Sequence, residues 1–322
     1  MSIYMHFGII IASLAVLVWS ADRFVFGASG LARNLGISPL IIGLTIVAMG
    51  SSAPEMMAAA QASLNDGTPD LGVGNAIGSN ITNILMVLGI TALIKPMLVG
   101  SSTMKQEIPM VLIASIIGAY FLFNGEITKI EGYILLFAFF ATISFLTFNA
   151  LRHQRLGDDP DMLKDIESEV PDKMPLYLAL IWLTVGIVLL IVSADYLVNS
   201  AKEVAIHFGV SQLVIGLTIV AIGTSLPELA ASVAGVLKGE NDLAIGNIIG
   251  SNIFNIFAVM SLPGILAPGV IDANRDTLVM IAATLLLWVL AGIGKTRSIS
   301  RIEGGLLFAG FIAYQVFLFV SV

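Results

Sequence analysis

One stretch of this sequence occurs twice, and the repetition constrains what the chain can fold into. Residues 43–55, GLTIVAMGSSAPE, reappear as residues 216–228, GLTIVAIGTSLPE. Each copy is an apolar run that ends in small hydroxyl residues, a proline and a glutamate. A carboxylate inside a membrane-like segment is costly, so its appearance at Glu55 and again at Glu228 indicates a functional site. We expect the two glutamates to face one another and to bind a cation together.

Composition places the chain in a membrane. Of its 322 residues, 57% are hydrophobic and 11% are charged, whereas soluble domains carry about 25% charged residues. The sequence has no dense Lys/Arg cluster, which argues against nucleic-acid binding. The absence of cysteine excludes disulfides, iron–sulfur clusters and thiolate metal sites. No Lys or Arg precedes the first apolar run, so we interpret that run as a retained transmembrane helix and not as a signal peptide.

The apolar runs predict an all-α polytopic membrane protein with ten transmembrane helices. Each run is close to the ~20 residues that a helix needs to cross a bilayer core. The predicted spans are residues 3–22, 37–64, 70–94, 106–124, 130–150, 175–197, 210–237, 243–267, 276–294 and 303–321.

The basic residues predict the orientation of these spans. With the amino terminus outside, the outer loops hold Lys129, Lys202 and Arg275, and the other twelve of the fifteen Lys and Arg residues are in inner loops. Because inner loops are enriched in Lys and Arg, this distribution predicts that both termini are outside.

The repeat extends over most of the chain. Residues 20–22, SAD, match residues 193–195 at the same offset of 173 that separates Glu55 from Glu228. Residues 74–83, GNAIGSNITN, match residues 246–255, GNIIGSNIFN, at an offset of 172. Each repeat contains five predicted helices, an odd number, so the second repeat enters the membrane from the opposite side. Inverted repeats are typical of transporters, which bind substrate near the midplane.

The sequence therefore divides into three parts. The first inverted repeat is residues 1–150, and the second is residues 175–322. Between them, residues 151–174 form an acidic linker that the orientation places in the cytoplasm. With Leu163 and Lys164 at the fifth and sixth positions from Asp159, the linker lacks the oxygen ligand and the glycine of a calcium-binding loop, so we interpret it as a solvated connector.

Residues around both glutamates share one helix face. Three residues precede Glu55 at spacings of seven, four and three, and the second copy repeats the pattern; the set is Ala48, Ser51, Ser52 and Glu55, with Ala221, Thr224, Ser225 and Glu228. No Lys, Arg or His lies at a comparable depth, so a metal cation is the natural counter-charge. Pro54 and Pro227 cannot donate to the carbonyls four residues earlier, and a freed carbonyl is a further oxygen ligand.

A second polar stripe follows each copy. Its members are spaced four apart and all carry oxygen: Asn75, Ser79 and Asn83, with Asn247, Ser251 and Asn255. Gly74, Gly78, Gly246 and Gly250 are expected to allow close helix packing. Carboxylates, hydroxyls, amides and main-chain carbonyls suit hard cations such as calcium or sodium. We predict no cofactor, only the transported Ca2+ and Na+, with membrane lipid as surroundings.

These motifs carry a family resemblance. GSSAPE and GTSLPE, followed by GNAIGSN and GNIIGSN, resemble the paired alpha repeats of the calcium/cation antiporter superfamily, in particular its prokaryotic sodium/calcium exchanger branch of bacterial inner-membrane antiporters. The resemblance covers almost the whole chain. It implies a core of the second, third, seventh and eighth helices around four cation sites, past which the long first and sixth helices slide.

The resemblance also implies the ligands. They are Ala48, Ser51, Ser52, Glu55, Ser79 and Asn83 in the first half, and Ala221, Thr224, Ser225, Glu228, Ser251 and Asn255 in the second. Ser51 stands where family members often have threonine, which keeps the hydroxyl. Asn255 stands where potassium-dependent exchangers have aspartate, which argues against potassium cotransport.

Three functions remain open at this point. Electrogenic sodium/calcium exchange in the inner membrane is the first. Proton/calcium exchange is the second, since the glutamates could carry protons, although Ser79 and Ser251 occupy the region where the proton branch usually has glutamate. A cation channel is the third, and it would not need inverted repeats. An enzyme is disfavoured because no Ser/His pair lies at membrane depth.

Overall fold

The structure is a computed structural model, which describes residues 2–100, 103–156, 174–210, 219, 221–292 and 298–320. Fifteen helices account for most of these residues: α1 Ile3–Leu35, α2 Pro39–Ile42, α3 Ala48–Ser51, α4 Ala53–Asp66, α5 Asp70–Thr82, α6 Leu88–Ile94, α7 Ile108–Leu122, α8 Lys129–Leu156, α9 Leu176–His207, α10 Ala221–Thr224, α11 Leu226–Lys238, α12 Asn241–Phe254, α13 Ser261–Leu266, α14 Asn274–Gly292 and α15 Arg301–Val320. Four π-helical turns continue them, at Gly43–Val47, Asn83–Val87, Thr103–Glu107 and Asn255–Val259. Four two-residue strands complete the set: β1 Met97–Leu98, β2 Glu126–Ile127, β3 Gly269–Val270 and β4 Ser298–Ile299.

The fold is that of a multi-pass membrane protein. Within the described ranges, eight helical segments are long and apolar enough to cross a bilayer, and a ninth span results if the bent pair Pro39–Ser51 and Ala53–Asn65 is one crossing. The predicted span at 210–237 falls partly on 211–218 and 220, which lie outside the described residues, as do 157–173 of the linker.

The first and sixth helices are longer than predicted. We expected spans ending at residues 22 and 197, but α1 continues to Leu35 and α9 to His207. Arg23 and Lys202 therefore lie inside helices and not in loops, contrary to the prediction. The helix tolerates Arg23 because its guanidinium lies over the rings of Trp19 and Trp182, at 5.9 and 5.2 Å from their centroids.

Asp22 lies at the end of its predicted span, residues 3–22, but not at the end of a helix. It lies within α1, and its Oδ1 is 2.7 Å from Nζ of Lys238, the last residue of α11. Its counterpart Asp195 lies within α9 and accepts a hydrogen bond of 3.0 Å from Asn199 Nδ2, one turn later in the same helix. Both carboxylates therefore have a partner on a helix, and both lie within continuous helices.

Helices α1 and α9 pack closely along their length. A Cβ atom added at Gly27 would lie 2.4 Å from the backbone nitrogen of Leu183, and one at Gly186 would lie 2.6 Å from the Cα of Phe24. The two glycines allow the backbones to touch. The buried side chains of the α1–α9 pair form a hydrophobic cluster with parts of α2, α11 and α12. The larger core is a separate cluster that contains no residue of α1 or α9.

The four short strands join distant parts of the chain. β1 pairs antiparallel with β4, and β2 pairs antiparallel with β3. Residues 97–98 of β1 become 269–270 of β3 when 172 is added, and 126–127 of β2 become 298–299 of β4. Each pair thus combines one strand that precedes the linker with one that follows it. The α7 span separates β1 from β2, so the two pairs lie at opposite ends of the helices.

Candidate cation-binding site

The helix that carries each glutamate is interrupted three residues before it. α3 ends at Ser51 and α4 begins at Ala53, with Ser52 between them at φ −87° and ψ 9°. Ser225 separates α10 from α11 with nearly the same angles, −91° and 7°. The helix is bent by 41° at the first of these breaks. Two breaks 173 residues apart therefore have the same backbone geometry.

The breaks place both prolines and both glutamates in first turns. Pro54 and Pro227 lie within the first two residues of α4 and α11, where a missing N–H costs no hydrogen bond. The sequence predicted continuous spans at residues 37–64 and 210–237, and instead the helix ends and restarts at Ser52 and at Ser225. Glu55 and Glu228 then lie at helix amino termini, where the helix dipole favours negative charge.

Glu228 contacts residues from both copies of the repeat. Its Oε1 accepts a hydrogen bond of 2.8 Å from Ser52 Oγ, across 176 residues of sequence. The hydroxyls of Ser51 and Ser251 also lie beside its carboxyl group. Glu55 is close enough for its charge to be repelled by that of Glu228. The structure thus brings the two glutamates together, with three of the predicted hydroxyls, as the sequence led us to expect.

Many oxygens at this place have no hydrogen-bond partner among the described residues. They include both carboxyl oxygens of Glu55, Oε2 of Glu228, and the hydroxyls of Ser225 and Ser251. All of these side chains are at most 1% exposed. Because a buried charge or hydroxyl without a partner is costly, a set of such oxygens in one place fits a bound cation.

The predicted amide ligands begin π-helical turns. Asn83 and Asn255 are the first residues of the turns Asn83–Val87 and Asn255–Val259. Both are buried, and neither amide oxygen nor amide nitrogen of either residue has a partner within the part of the chain that is described. Single π-helical turns inside α-helices are frequent at functional sites.

The other predicted ligands lie on α3, α5 and α10. Ser79 is buried in α5, and Thr224 is half-buried at the end of α10. The carbonyl of Ala48 accepts Ser52 N at 3.0 Å and Ser51 Oγ at 3.4 Å. Ala221 begins α10, and its side chain is outside the described part.

Two asparagines have a role that the sequence did not reveal. Asn75 Nδ2 donates to the main-chain oxygen of Glu55 at 3.1 Å, and Asn247 Nδ2 donates to that of Glu228 at 3.3 Å. We had grouped them with the oxygen ligands because they share a stripe with Ser79 and Ser251. Their amides instead bind the backbone of the helix that carries the glutamate. Only the recurrence of an Asn about 20 residues after each Glu, at spacings of 20 and 19, could have suggested this.

The expected glycine packing is present in the second half. A Cβ atom at Gly250 would lie 2.5 Å from the carbonyl oxygen of Leu44, and one at Gly246 would lie 2.5 Å from that of Leu40. Thus α12 touches the backbone of the first half at Leu40 and Leu44, on the segment that leads to the break. Cβ atoms at Gly74 and Gly78 would meet no described atom within 4 Å.

The donor set favours hard cations. Within the described ranges, no three His, Cys, Asp or Glu side chains are grouped so that they could hold a metal. The candidate site offers two carboxylates and neutral oxygens. Oxygen-only ligands suit calcium and sodium, and transition metals prefer nitrogen or sulfur.

A third buried carboxylate lies outside the spans, at the turn between α11 and α12. Glu240 is 3% exposed. Burial raises its pKa to about 7, while Asp242 adds to the rise and the nearby Ser29 hydroxyl of α1 and the charge of Lys238 oppose it. Between its ordinary pKa and about 7, the folded protein holds a proton that the unfolded chain has released. This group therefore lowers stability as the pH rises through that window.

We expect E240Q to raise the melting temperature of the purified protein by about 2–4 °C at pH 8, because the uncharged amide avoids the buried charge. The gain should shrink towards zero as the pH falls to 5, where Glu240 is protonated in the folded protein. Thermal unfolding in detergent at both pH values measures this effect. E203Q, which changes an exposed carboxylate on α9, is the control. An equal gain from E240Q at both pH values would contradict the prediction.

The fold and the site together define a multi-pass membrane protein that can bind hard cations between its helices. The family model described as "Sodium/calcium exchanger protein" matches the chain at residues 5–148 and 178–320. The CaxA protein of Alkalimonas amylolytica is 52% identical over 97% of this chain and 98% of its own length. The sodium/calcium exchanger MaX1 of Methanosarcina acetivorans is 31% identical over 98% of this chain and 99% of its own.

A solved structure agrees with the sequence comparisons. The structure of the sodium-calcium exchanger NCX_Mj, soaked with Na+ and Ca2+, superposes with a TM-score of 0.82 at 31% identity, and covers 96% of this chain and 97% of its own. The chain therefore belongs to the sodium/calcium exchanger family, and the resemblance inferred from its motifs is confirmed.

Proposed function

We propose that this chain exchanges calcium for sodium by alternating access at a site that contains Glu55 and Glu228. The observation that carries the proposal is the hydrogen bond of 2.8 Å from Ser52 to Glu228. It joins the helix break of one copy of the repeat to the carboxylate of the other, so that neither copy alone is a complete site. Membership of the exchanger family supports the same function.

The proposed ligands are those inferred from the sequence. Glu55 and Glu228 supply two negative charges, which balance one calcium ion. Hydroxyls, amide oxygens and main-chain carbonyls complete the calcium site and form the sodium sites; they belong to Ala48, Ser51, Ser52, Ser79, Asn83, Ala221, Thr224, Ser225, Ser251 and Asn255. Because the ions share oxygens, sodium and calcium exclude one another. Mutually exclusive binding is the physical basis of exchange.

The proposed topology has ten transmembrane helices in two inverted five-helix repeats, residues 1–150 and 175–322, with a cytoplasmic linker at 151–174 and both termini outside. The matched breaks at Ser52 and Ser225 support the division, as do the two separate stretches that match the family model. The strand pairs support the inversion, because the equivalent strands β1 and β3 lie at opposite ends of the helices, as do β2 and β4.

The moving element in this proposal is the α1–α9 pair. Helix α1 is the longest helix before the linker, and α9 is the longest after it. Their backbones touch at Gly27 and Gly186. A side chain of α9 lies on each glycine that precedes a break: Ile187 on Gly50 and Val198 on Gly223. Translation of the pair would expose or cover the site. The inner membrane is the proposed location, as for the relative named inner membrane protein YrbG, 41% identical.

A flux measurement tests the proposal. Vesicles that contain the purified protein are loaded with sodium and diluted into sodium-free buffer, and uptake of radioactive calcium is followed. We expect uptake that requires the sodium gradient and stops when an ionophore collapses it. Uptake that ignores the sodium gradient would contradict the proposal. Dependence on a pH gradient instead would identify a proton exchanger, and current carried by a single ion would identify a channel.

A further inference from the structure

We infer that Asn247 is a positioning residue that orients the Ser51 hydroxyl towards the bound cation and holds the backbone of Glu228. Three hydrogen bonds carry this inference. Asn247 Nδ2 donates to Ser232 Oγ at 3.0 Å and to the main-chain oxygen of Glu228 at 3.3 Å. Its Oδ1 accepts from Ser51 Oγ at 3.1 Å. Asn247 and Ser51 lie 196 residues apart, in different halves of the chain.

The amide orientation of Asn247 is fixed by its neighbours. The side chain is 1% exposed, so water does not compete for it. A main-chain oxygen can only accept, and therefore the nitrogen of the amide must face Glu228. If the amide were turned over, two acceptors would face each other at about the same distance. Oδ1 is thus directed at Ser51, with no alternative arrangement of equal energy.

This orientation matters for a hydroxyl that binds a cation. A hydroxyl has one hydrogen and two lone pairs, and it can ligate a cation only when its hydrogen points elsewhere. Besides the Glu228 carboxyl group, which would itself bind the cation, Ser51 has two acceptors, Asn247 Oδ1 at 3.1 Å and the Ala48 carbonyl at 3.4 Å, and the asparagine is the nearer. When the Ser51 hydrogen is held by Asn247, its lone pairs are free for the ion beside Glu228.

The two halves differ at this point. Asn75 makes the equivalent bond to the main-chain oxygen of Glu55. However, the position equivalent to Ser232 is Ala59, because 232 minus 173 is 59. Asn75 is half-buried, whereas Asn247 is buried. The natural alanine at 59 indicates that a hydroxyl at this position is not needed for the fold of the helix. S232A is therefore a mild variant, which removes only the hydrogen bond between Asn247 and Ser232.

The inference rests on the proposed ligand role of Ser51, and a double-mutant cycle tests the two separately. The variants are S51A, N247A, the double variant S51A/N247A and S232A, each assayed for sodium-driven calcium uptake. We expect N247A and S51A each to raise the calcium KM roughly tenfold, as the loss of one well-placed contact implies. S232A should raise it about two- to threefold with an unchanged maximum rate.

The double variant is decisive. If Asn247 acts through Ser51, its removal should add less than about threefold to the KM of S51A. A merely structural role would lower the amount of folded protein and the maximum rate, and would leave KM unchanged. Full multiplication of the two effects would overturn the positioning role while leaving Ser51 as a ligand. An unchanged KM in S51A alone would overturn the ligand assignment, and this inference with it.

Discussion

Replacing either glutamate by glutamine is expected to abolish sodium-driven calcium uptake. The sequence has no Lys, Arg or His in residues 37–64 or 210–237, so in the proposed site Glu55 and Glu228 alone provide the charge that balances calcium. Two unit charges 4 Å apart interact by about 4 kcal/mol at an effective dielectric constant of about 20, and calcium carries two charges. We therefore expect E55Q and E228Q each to weaken calcium binding by at least about a hundredfold.

A binding measurement separates loss of the site from loss of the fold. Calcium at a hundred times its dissociation constant should stabilise the wild-type protein by about 2.7 kcal/mol, which raises its melting temperature. E55Q should lose this calcium-dependent rise. In calcium-free buffer it should melt at or above the wild-type temperature, because the repulsion between the two buried carboxylates is removed.

The control for both variants is S63A. Ser63 lies on α4, two turns after Glu55, is buried, and donates to the carbonyl of Ala59 at 2.8 Å. It is outside the proposed ligand set, so S63A should keep both uptake and the calcium-dependent rise. Wild-type uptake by E55Q or E228Q would refute the assignment of these residues as ligands.

The second large effect is expected at Gly250. An alanine there would place its Cβ atom 2.5 Å from the Leu44 carbonyl oxygen and 2.7 Å from the Ala48 Cβ. Since neither group is the end of a flexible side chain, α12 must move away from the helix that carries Ser51 and Ser52. Overpacking of this kind costs about 1–3 kcal/mol. We expect G250A to lower the melting temperature and to reduce uptake at least about tenfold.

G8A is the matched control for this variant. Gly8 lies on α1, and an added Cβ atom would meet nothing within 4 Å. Alanine also has the higher helix propensity. G8A should therefore transport calcium as the wild type does. A G250A protein with unchanged melting temperature and uptake would show that the two helices can separate without disturbing the site.

The centre of the site was predictable because its physical signal is strong. A carboxylate next to a proline in an apolar run is rare, and its recurrence at Glu55 and Glu228 allowed us to predict that the two would meet. Spacing of three, four and seven residues selected the serines that lie beside Glu228. The break at Ser52 was harder to predict from the sequence. A proline in the first turn of a new helix and a proline that kinks a continuous helix have the same sequence pattern.

The remaining differences between the predictions and the structure arise from tertiary contacts. Asp22 and Arg23 resemble the end of a membrane span, and the sequence cannot reveal that Lys238 and two tryptophan rings compensate them within a continuous helix. Asn247 resembles a ligand, and only the position of the Glu228 carbonyl reveals its role. A strand of two residues has no periodicity, so β1–β4 could not be predicted.

These short strands limit how the molecule can change shape. Met97 pairs with Ile299 at one end of the helices, and Glu126 pairs with Val270 at the other. Two strand pairs thus join the part of the chain before the linker to the part after it, one pair at each end of the helices. A hinge motion that separated these two parts would have to break one of the strand pairs in every transport cycle. Neither α1 nor α9 contributes a strand, so the proposed translation of this helix pair breaks neither strand pair.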